Sequence, residues 1–561
     1  MWLRRTVGFH RVNIQGLRRS FQVAAAAAKM AKSRFEYVKA FETEDRLDPK
    51  HWIVVALKHR RYDELADTYD LEKPNDKRLV QLFEASARSV MGEFKELVLG
   101  YGFGGEFSLA FAKNTTLYRR RAPKLLTNLC SLMASSFVQL WPHHFEGLSL
   151  VDPPSFEGAV HLFPDDQSLR DYMTQRQLAC HHRNLNNTVL WSLVRECGLA
   201  VDEAQGVVRG ATSEGDKNEI LFSRCNKNYN KEEDVFKKGS IIVRTSTQAS
   251  VRTPAGSVTQ RNQSCLSNLC FDFVKDQFWS EIFVLDQPTK VNAKTNYLKD
   301  FEKKAKLLPH SWIVIRIDGK GFHKFSEKHS FAKPNDIRSI ELMNRAAKRV
   351  MEEFPDIVLS YGQSDEYTFV IDRYSRMLDR CASRNMSSIV SLFGSTYVHN
   401  WTEVFDGTPL QYSPAFDARA VLYPNNSCLR DYLSWRQADC HINNMYNTCF
   451  WVLVQEGSRS RQEAEGELRG TFSRDKRDIL KEFNREYDKE DALYRKGTIM
   501  YRDELQNEET EAAQAPGTES CRGSRKISVE HIDMIGDAFW EQRPWILGKE
   551  RSVRTLEDMD Y

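Results

Sequence analysis

Apolar and polar residues follow two rhythms along this chain. Residues 312–317 are a β-branched apolar run of strand length, followed at once by Asp318-Gly319. After the Pro334-Asn335-Asp336 turn the rhythm changes. Ile340, Met343, Ala347, Val350 and Met351 fall at helical spacing, and Asp336 is placed to cap that helix. Residues 357–361 predict a second strand, Gly362-Gln363-Ser364-Asp365 a tight turn, and residues 366–371 a third strand. Helices are predicted over 383–402 and 432–455, with a short strand at 421–423 between them. This order predicts an α+β fold: an antiparallel sheet with helices on one side.

The whole pattern occurs twice. Trp52, Lys73-Pro74-Asn75-Asp76, Tyr101-Gly102, Arg170-Asp171-Tyr172 and Cys180-His181 each recur 260 positions later, at Trp312, Lys333, Tyr361, Arg430 and Cys440. A period of this length means duplicated domains rather than a solenoid. The expected organisation is a basic extension (1–30), a first copy (31–285), a short polar linker (286–295) and a second copy (296–561). Polar stretches at 245–264 and 503–526 predict mobile loops.

Composition adds little until the N-terminus is separated from the rest. Hydrophobic content of 41% and charged content of 28% are those of a soluble globular protein, and a net charge of +3 does not announce a nucleic-acid binder. The eleven cysteines form no CxxC pair, which argues against a zinc site and fits a reducing compartment. No stretch is long and apolar enough to span a membrane. The first thirty residues differ. They carry Arg4, Arg5, Arg11, Arg18 and Arg19, no acid, and an apolar face of Leu3, Val7, Ile14, Leu17 and Phe21. Two readings stand: a mitochondrial presequence, or a basic tail upstream of a chain that starts at Met30.

The candidate chemistry lies in the second copy. Asp318 ends the first strand, and Asp365 and Glu366 occupy the hairpin between the next two. If those strands are neighbours, both aspartates reach one sheet edge and can hold divalent metal beside a triphosphate. Residues of these types also make ordinary turns and solvated hairpin tips. The first copy supplies an internal comparison. Lys58-His59-Arg60-Arg61 stands where the second copy has Asp318-Gly319-Lys320-Gly321, and Gly104-Gly105 stands where it has Ser364-Asp365. The elements persist while the carboxylates are gone, so Asp318 and Asp365 are expected to serve function, and the first copy is read as degenerate.

Ile317-Asp-Gly-Lys-Gly-Phe-His323, Ser360-Tyr-Gly-Gln-Ser-Asp-Glu-Tyr367, Asp431-Tyr-Leu-Ser-Trp-Arg-Gln-Ala-Asp-Cys-His-Ile-Asn-Asn444 and Ile535-Gly-Asp-Ala-Phe-Trp540 resemble the motifs of the tRNA-histidine guanylyltransferase family. The tandem arrangement is similar to its plant members. The resemblance implies a polymerase-palm-like domain in two tandem copies, the second catalytic. It implies addition of guanosine to the 5′ end (position −1) of histidine tRNA by 3′–5′ nucleotidyl transfer, with ATP activating the 5′-phosphate and GTP as donor. It implies two Mg2+ ions on Asp318, the Gly319 carbonyl and Asp365, and catalytic roles for Asp318, Asp365, Glu366, His441 and Asn444. GTP is expected on Asp318, Gly319, Lys320, Gly321, Phe322, His323, Ser364 and Asp365. It further implies a homo-oligomer without a membrane. The expected location is the nucleus or cytoplasm, especially for a form starting at Met30, with the mitochondrion for the full-length form.

The chain departs from the family where two adjacent arginines and a following lysine contact a triphosphate. The second copy reads Arg380-Cys381 and Arg384, whereas the first reads Arg120-Arg121 and Lys124. Arg380 and Arg384 are the triphosphate candidates. The first copy's Lys58, Arg60 and Arg61 suggest a cationic edge that grips tRNA phosphate or a metal-free triphosphate, with drift as the other reading. His441 outside its motif reads as a core histidine. Lys333 and Asp336 read equally as a turn and cap or as ligand contacts. A nucleotide cyclase and an idle tRNA scaffold are the alternatives from other classes.

Overall fold

The computed structural model describes residues 34–252, 258–285, 289–290, 295–504 and 525–548. The arginine-rich amphipathic face from Leu3 to Phe21 lies outside them. Among the described residues no helix is long and apolar enough to cross a membrane.

Each copy is built on a six-stranded antiparallel sheet. The first contains β1 (Trp52–His59), β2 (Leu97–Phe103), β3 (Glu106–Phe111), β4 (Phe156–Phe163), β5 (Ser240–Arg252) and β6 (Val258–Leu269), in the order β4-β1-β3-β2-β5-β6. The second repeats this with β7 (Trp312–Gly319), β8 (Ile357–Gln363), β9 (Glu366–Ile371), β10 (Phe416–Tyr423), β11 (Thr498–Arg502) and β12 (Ile527–Glu530), in the order β10-β7-β9-β8-β11-β12. The helices that frame the sites are α1 (Lys77–Glu93), α2 (Ala122–His144) and α3 (Asp166–Glu196), then α4 (Ile337–Glu353), α5 (Ala382–His399) and α6 (Asn426–Gln455). Asp336 caps α4 by accepting from Arg338 N at 3.0 Å, which settles its role as a cap.

The α+β class and the antiparallel sheet are as expected, but helices cover both faces rather than one. Side chains alternate along a strand. Ile313, Ile315 and Ile317 pack with Leu342 and Val350 of α4 and Phe393 of α5. Trp312 and Val314 pack on the other face with Leu429, Tyr432 and Leu433 of α6. A strand that is apolar at both parities needs cover on both sides. A second difference concerns residues 245–264, expected to be a loop. Residues 245–252 and 258–264 extend the first sheet as paired strands, with Thr245 opposite Cys265 and Arg252 opposite Val258, while 253–257, like 505–524 of the second polar stretch, lie outside the described residues. The Thr and Val content of the paired residues suits a strand.

The two copies are packed into each other. Helices α2 and α5 meet along small residues, where a Cβ on Gly394 would lie 2.9 Å from Ser135 Oγ. Their hydroxyls complete the opposite copy's edge strand. Ser391 Oγ and Ser387 Oγ accept from Phe156 N and Gly158 N of β4, both at 2.8 Å. Ser131 Oγ and Thr127 Oγ1 accept from Phe416 N and Ala418 N of β10, both at 2.9 Å. Edge groups that would otherwise be buried without partners are thereby satisfied. The leading segments are also exchanged. Val38, in the short helix Glu36–Phe41 of the first copy, is fully buried in the second copy's core. Leu298, in Asn296–Phe301 of the second copy, is buried in the first copy's core beside Phe163 and Tyr172.

Candidate active site

Three adjacent strands bring acids to one edge of the second sheet. Asp318 on β7 is in register with Glu366 on β9 on one side and with Asp417 on β10 on the other. Asp365 lies in the β8–β9 turn, and its carbonyl accepts from Gly319 N at 3.0 Å. The turn requires Ser364 at φ 50°, the left-handed region that a short polar residue tolerates. Partial removal from water, followed by the charges of Asp365, Asp417 and Glu366, pushes the Asp318 carboxyl up to about 7, against the pull of Arg316. Burial likewise raises Asp365, opposed by its hydrogen bonds from the backbone and Ser364. Carboxylates crowded in this way favour a cation.

Beside them opens a cleft of ≈ 340 Å³ that gathers Asp318, Ser364, Asp365, Glu366 and Asn444, together with Arg436 and Asp439. Glu366 is held by Arg436, Oε1 to Nε at 2.7 Å and Oε2 to Nη2 at 2.9 Å, and Arg436 also reaches Asp439 at 2.9 Å. Asn444 accepts from Asn335 at 2.9 Å and donates to the Tyr487 hydroxyl at 3.2 Å, fixing the cleft wall. His441, one turn earlier on α6, is outside the cleft lining and lies edge-on to Tyr487, where burial lowers its pKa.

The structure sorts the expected nucleotide residues. Gly321 adopts φ 64° in an open position, and His323 is exposed and close enough to draw down the Asp365 pKa. Phe322 is core, stacked on Phe325 at 5.0 Å, and a Cβ on Gly319 would meet its ring at 2.2 Å. Lys320 turns to the first copy, pairing with Glu93 and lying 4.4 Å from the Phe94 ring centroid. Arg380 is not brought to the carboxylates. Its guanidinium is buried among the carbonyls of Leu307, Leu308, Ser311, Arg373 and Ser375, so it clamps the loop before α5. Arg384 crosses to Glu157 of the first copy at 3.0 Å. The reciprocal cation serves the second copy: Lys124 Nζ reaches Asp417 Oδ2 at 2.7 Å.

The sequence reading missed Asp417, Arg436 and Asp439, and it kept Lys124 with the first copy's cations rather than at the second copy's site. Asp417 had a signal, since its counterpart Glu157 is also acidic. The first copy's cationic edge is mostly occupied by the interface. Arg61 donates to Glu353 at 2.6 Å, and Arg60 reaches Glu353 at 3.4 Å and Glu157 at 3.7 Å. Arg120, like Arg380, binds backbone carbonyls, at Lys113, Thr115 and His51.

An antiparallel sheet whose neighbouring strand ends gather carboxylates beside a cleft of this size has the donors for metal-assisted chemistry on a nucleotide. Comparison with known proteins makes the assignment particular. The tRNAHis guanylyltransferase family matches residues 35–164 and again 295–424, and its C terminal domain matches 167–306 and 427–536. The chain is 35% identical to tRNA(His) guanylyltransferase 1 of Arabidopsis thaliana, over 92% of this chain and 91% of that one. It is 35% identical to tRNA(His) guanylyltransferase 2 of the same plant, over 92% and 99%. The crystal structure of the Saccharomyces cerevisiae tRNA(His) guanylyltransferase is 38% identical, covering 39% of this chain and 100% of that one with a TM-score of 0.36. The chain belongs to the tRNA(His) guanylyltransferase family of nucleotidyltransferases.

Proposed function

We propose that the second copy adds guanosine to the 5′ end, position −1, of histidine tRNA by 3′–5′ nucleotidyl transfer. The tRNA 5′-phosphate attacks the α-phosphorus of ATP to form an adenylate with release of pyrophosphate, and the 3′-hydroxyl of GTP then attacks the activated tRNA phosphorus and releases AMP. The observation that carries this reading is the pair Asp318 and Asp365 at one cleft edge, with Lys58 and Gly105 in their places in the first copy.

Two Mg2+ ions fit this edge by the chemistry of its donors. Asp318, Asp365 and the Gly319 carbonyl are hard oxygens, and the Asp318 carboxyl, raised first by burial and then by its acidic neighbours, is one that a divalent cation would stabilise in its charged form. Among the described residues no three His, Cys, Asp or Glu side chains form a metal cage. Mg2+ characteristically takes one or two carboxylates and completes its shell with water and substrate phosphates. Bound there, it would neutralise triphosphate charge and lower the barrier to attack at phosphorus.

The chain's own groups position the reactants. Arg436 holds Glu366 and Asp439 along the cleft, and the Asn335–Asn444–Tyr487 network fixes the opposite wall. Gly321, His323 and Ser364 lie exposed around the carboxylate edge, where they can meet the GTP phosphates. The packed copies supply one another with contacts that separate subunits would otherwise provide in a homo-oligomer. Incubation with labelled GTP, with and without ATP and histidine tRNA, tests the reading. ATP-dependent label at the tRNA 5′ end is expected. Label released as a cyclic nucleotide without tRNA would refute it.

A further inference from the structure

The first copy keeps the second copy's cleft wall but has exchanged the carboxylate edge beside it for cations. Its cleft is larger, ≈ 450 Å³ against ≈ 340 Å³, and the lining joins Arg183, Asn184, Asn187 and Trp191 to the acids Asp63, Asp67, Glu72 and Asp76, so any anion site lies at the Arg183 side. Its wall is conserved bond for bond within the chain. Asn75 donates to Asn184 at 2.8 Å and Asn184 to the Tyr229 hydroxyl at 3.0 Å, as Asn335, Asn444 and Tyr487 do in the second copy. A cleft without a ligand has no evident need for this wall.

The changes are concentrated where phosphate would lie. Lys58 replaces Asp318, Gly105 replaces Asp365, Ala179 replaces Asp439 and Arg183 replaces Asn443. Lys58 Nζ at 3.8 Å and Arg183 Nη1 at 3.9 Å approach the same oxygen, Glu106 Oε1, while Arg176 pairs with Oε2. Three cations therefore face one carboxylate. In the second copy two cations, Arg316 and Arg436, contact Glu366 with Asp318 and Asp365 alongside. Lys58 is 66% and Arg183 37% exposed, so both can take a further anion. The position of the second aspartate is also closed to a side chain. Gly105 adopts φ 79°, and a Cβ there would lie 2.3 Å from the Tyr62 ring, so an aspartate cannot return without moving that ring.

We propose that the first copy's cleft binds a nucleoside phosphate without a divalent metal. The phosphate sits at the edge where Lys58 and the cleft-lining Arg183 converge on Glu106, and the nucleoside sits against Asn184, Asn187 and Trp191. A positive site draws phosphate directly and needs no bridging ion. The same chemistry is offered by a free nucleoside triphosphate and by the 5′-terminal nucleotide of an RNA. This assignment is independent of the reaction at the second copy, because its readout is binding.

Calorimetric titration of the full chain in EDTA tests it, with GTP, ATP and a 5′-phosphorylated acceptor-stem oligonucleotide as separate probes. Binding of at least one probe should survive EDTA, survive Asp318→Ala with Asp365→Ala, and weaken at least tenfold in Lys58→Met with Arg183→Asn. Binding of GTP or ATP identifies a free nucleotide as the ligand, and binding of the oligonucleotide alone identifies an RNA end. The single variant Arg183→Asn, which installs the second copy's own residue, should weaken it in the same direction while leaving the melting temperature unchanged. No EDTA-resistant binding by any probe, or such binding unaltered in the folded variants, would overturn the proposal in favour of drift.

Discussion

Lys124 of the first copy donates to Asp417 of the second across 2.7 Å, one strand away from Asp318. The mirror contact, Arg384 to Glu157, ends in the copy that has lost its aspartates. Equivalent cations therefore differ in consequence. Lys124→Ala leaves Asp417 uncompensated next to Asp318 and strengthens the repulsion already acting there. It should lower guanosine transfer by about 10- to 100-fold, about 1.4–2.7 kcal/mol. Lys124→Arg should recover part of it. Arg384→Ala should lower transfer far less, and steady-state rates of the three variants check this. Equal losses from Lys124→Ala and Arg384→Ala would show that both contacts matter only to the interface.

The exchanged leading segments couple the stability of the two copies. Val38 fills the second copy's core, so Val38→Asp should destabilise that copy, although the mutation lies in the first. Burial of such a side chain contributes about 1.5–3 kcal/mol, and a buried unpaired charge adds to the loss. A chain beginning at residue 286 lacks Val38. It should be soluble only as a dimer in which each protomer's Asn296–Phe301 segment takes that place. Analytical ultracentrifugation reads the outcome, and a stable monomer would contradict it.

His59 gives the first copy an acid sensitivity. It is buried among Phe83, Phe137 and Phe156, and accepts from Arg61 N at 3.1 Å through Nδ1. Burial first, then Arg60 and Arg61, lower its pKa from 6.5 to about 3. The unfolded chain therefore takes up a proton that the folded chain refuses. The stability from this group is complete above pH 6.5 and falls as pH drops toward 3. The slope within that window is about 1.4 kcal/mol per pH unit. Melting curves of wild type and His59→Phe at pH 7 and pH 4.5 should diverge in that sense, with the variant losing less on acidification. Parallel losses would place the acid sensitivity elsewhere.

Much of this was legible in the sequence because it is local. Strand 366–371, the Asp336 cap and the meeting of Asp318 with Asp365 follow from residue pattern and turn chemistry. What was not legible depends on packing between the copies. Arg380 and Lys124 look alike as cations, yet one is consumed by backbone carbonyls and the other crosses to Asp417. Helices on both sheet faces were missed because Trp312 and Val314 bury against α6, more than a hundred residues later in the chain.

The central claim is that nucleotidyl transfer takes place on Asp318 and Asp365 of the second copy. Its most direct test is transfer of label from GTP to the 5′ end of histidine tRNA by the full chain, by Asp318→Ala and by Asp365→Ala, with melting temperatures measured alongside. Asp318→Ala relieves repulsion and should not lower the melting temperature, and Asp365→Ala, which also loses the hydrogen bonds from Ser364 and the backbone, should lower it only slightly. Each should reduce transfer by about a thousandfold or more, because neither aspartate can hold the proposed magnesium ions alone. Transfer near the wild-type rate in either folded variant would contradict the account.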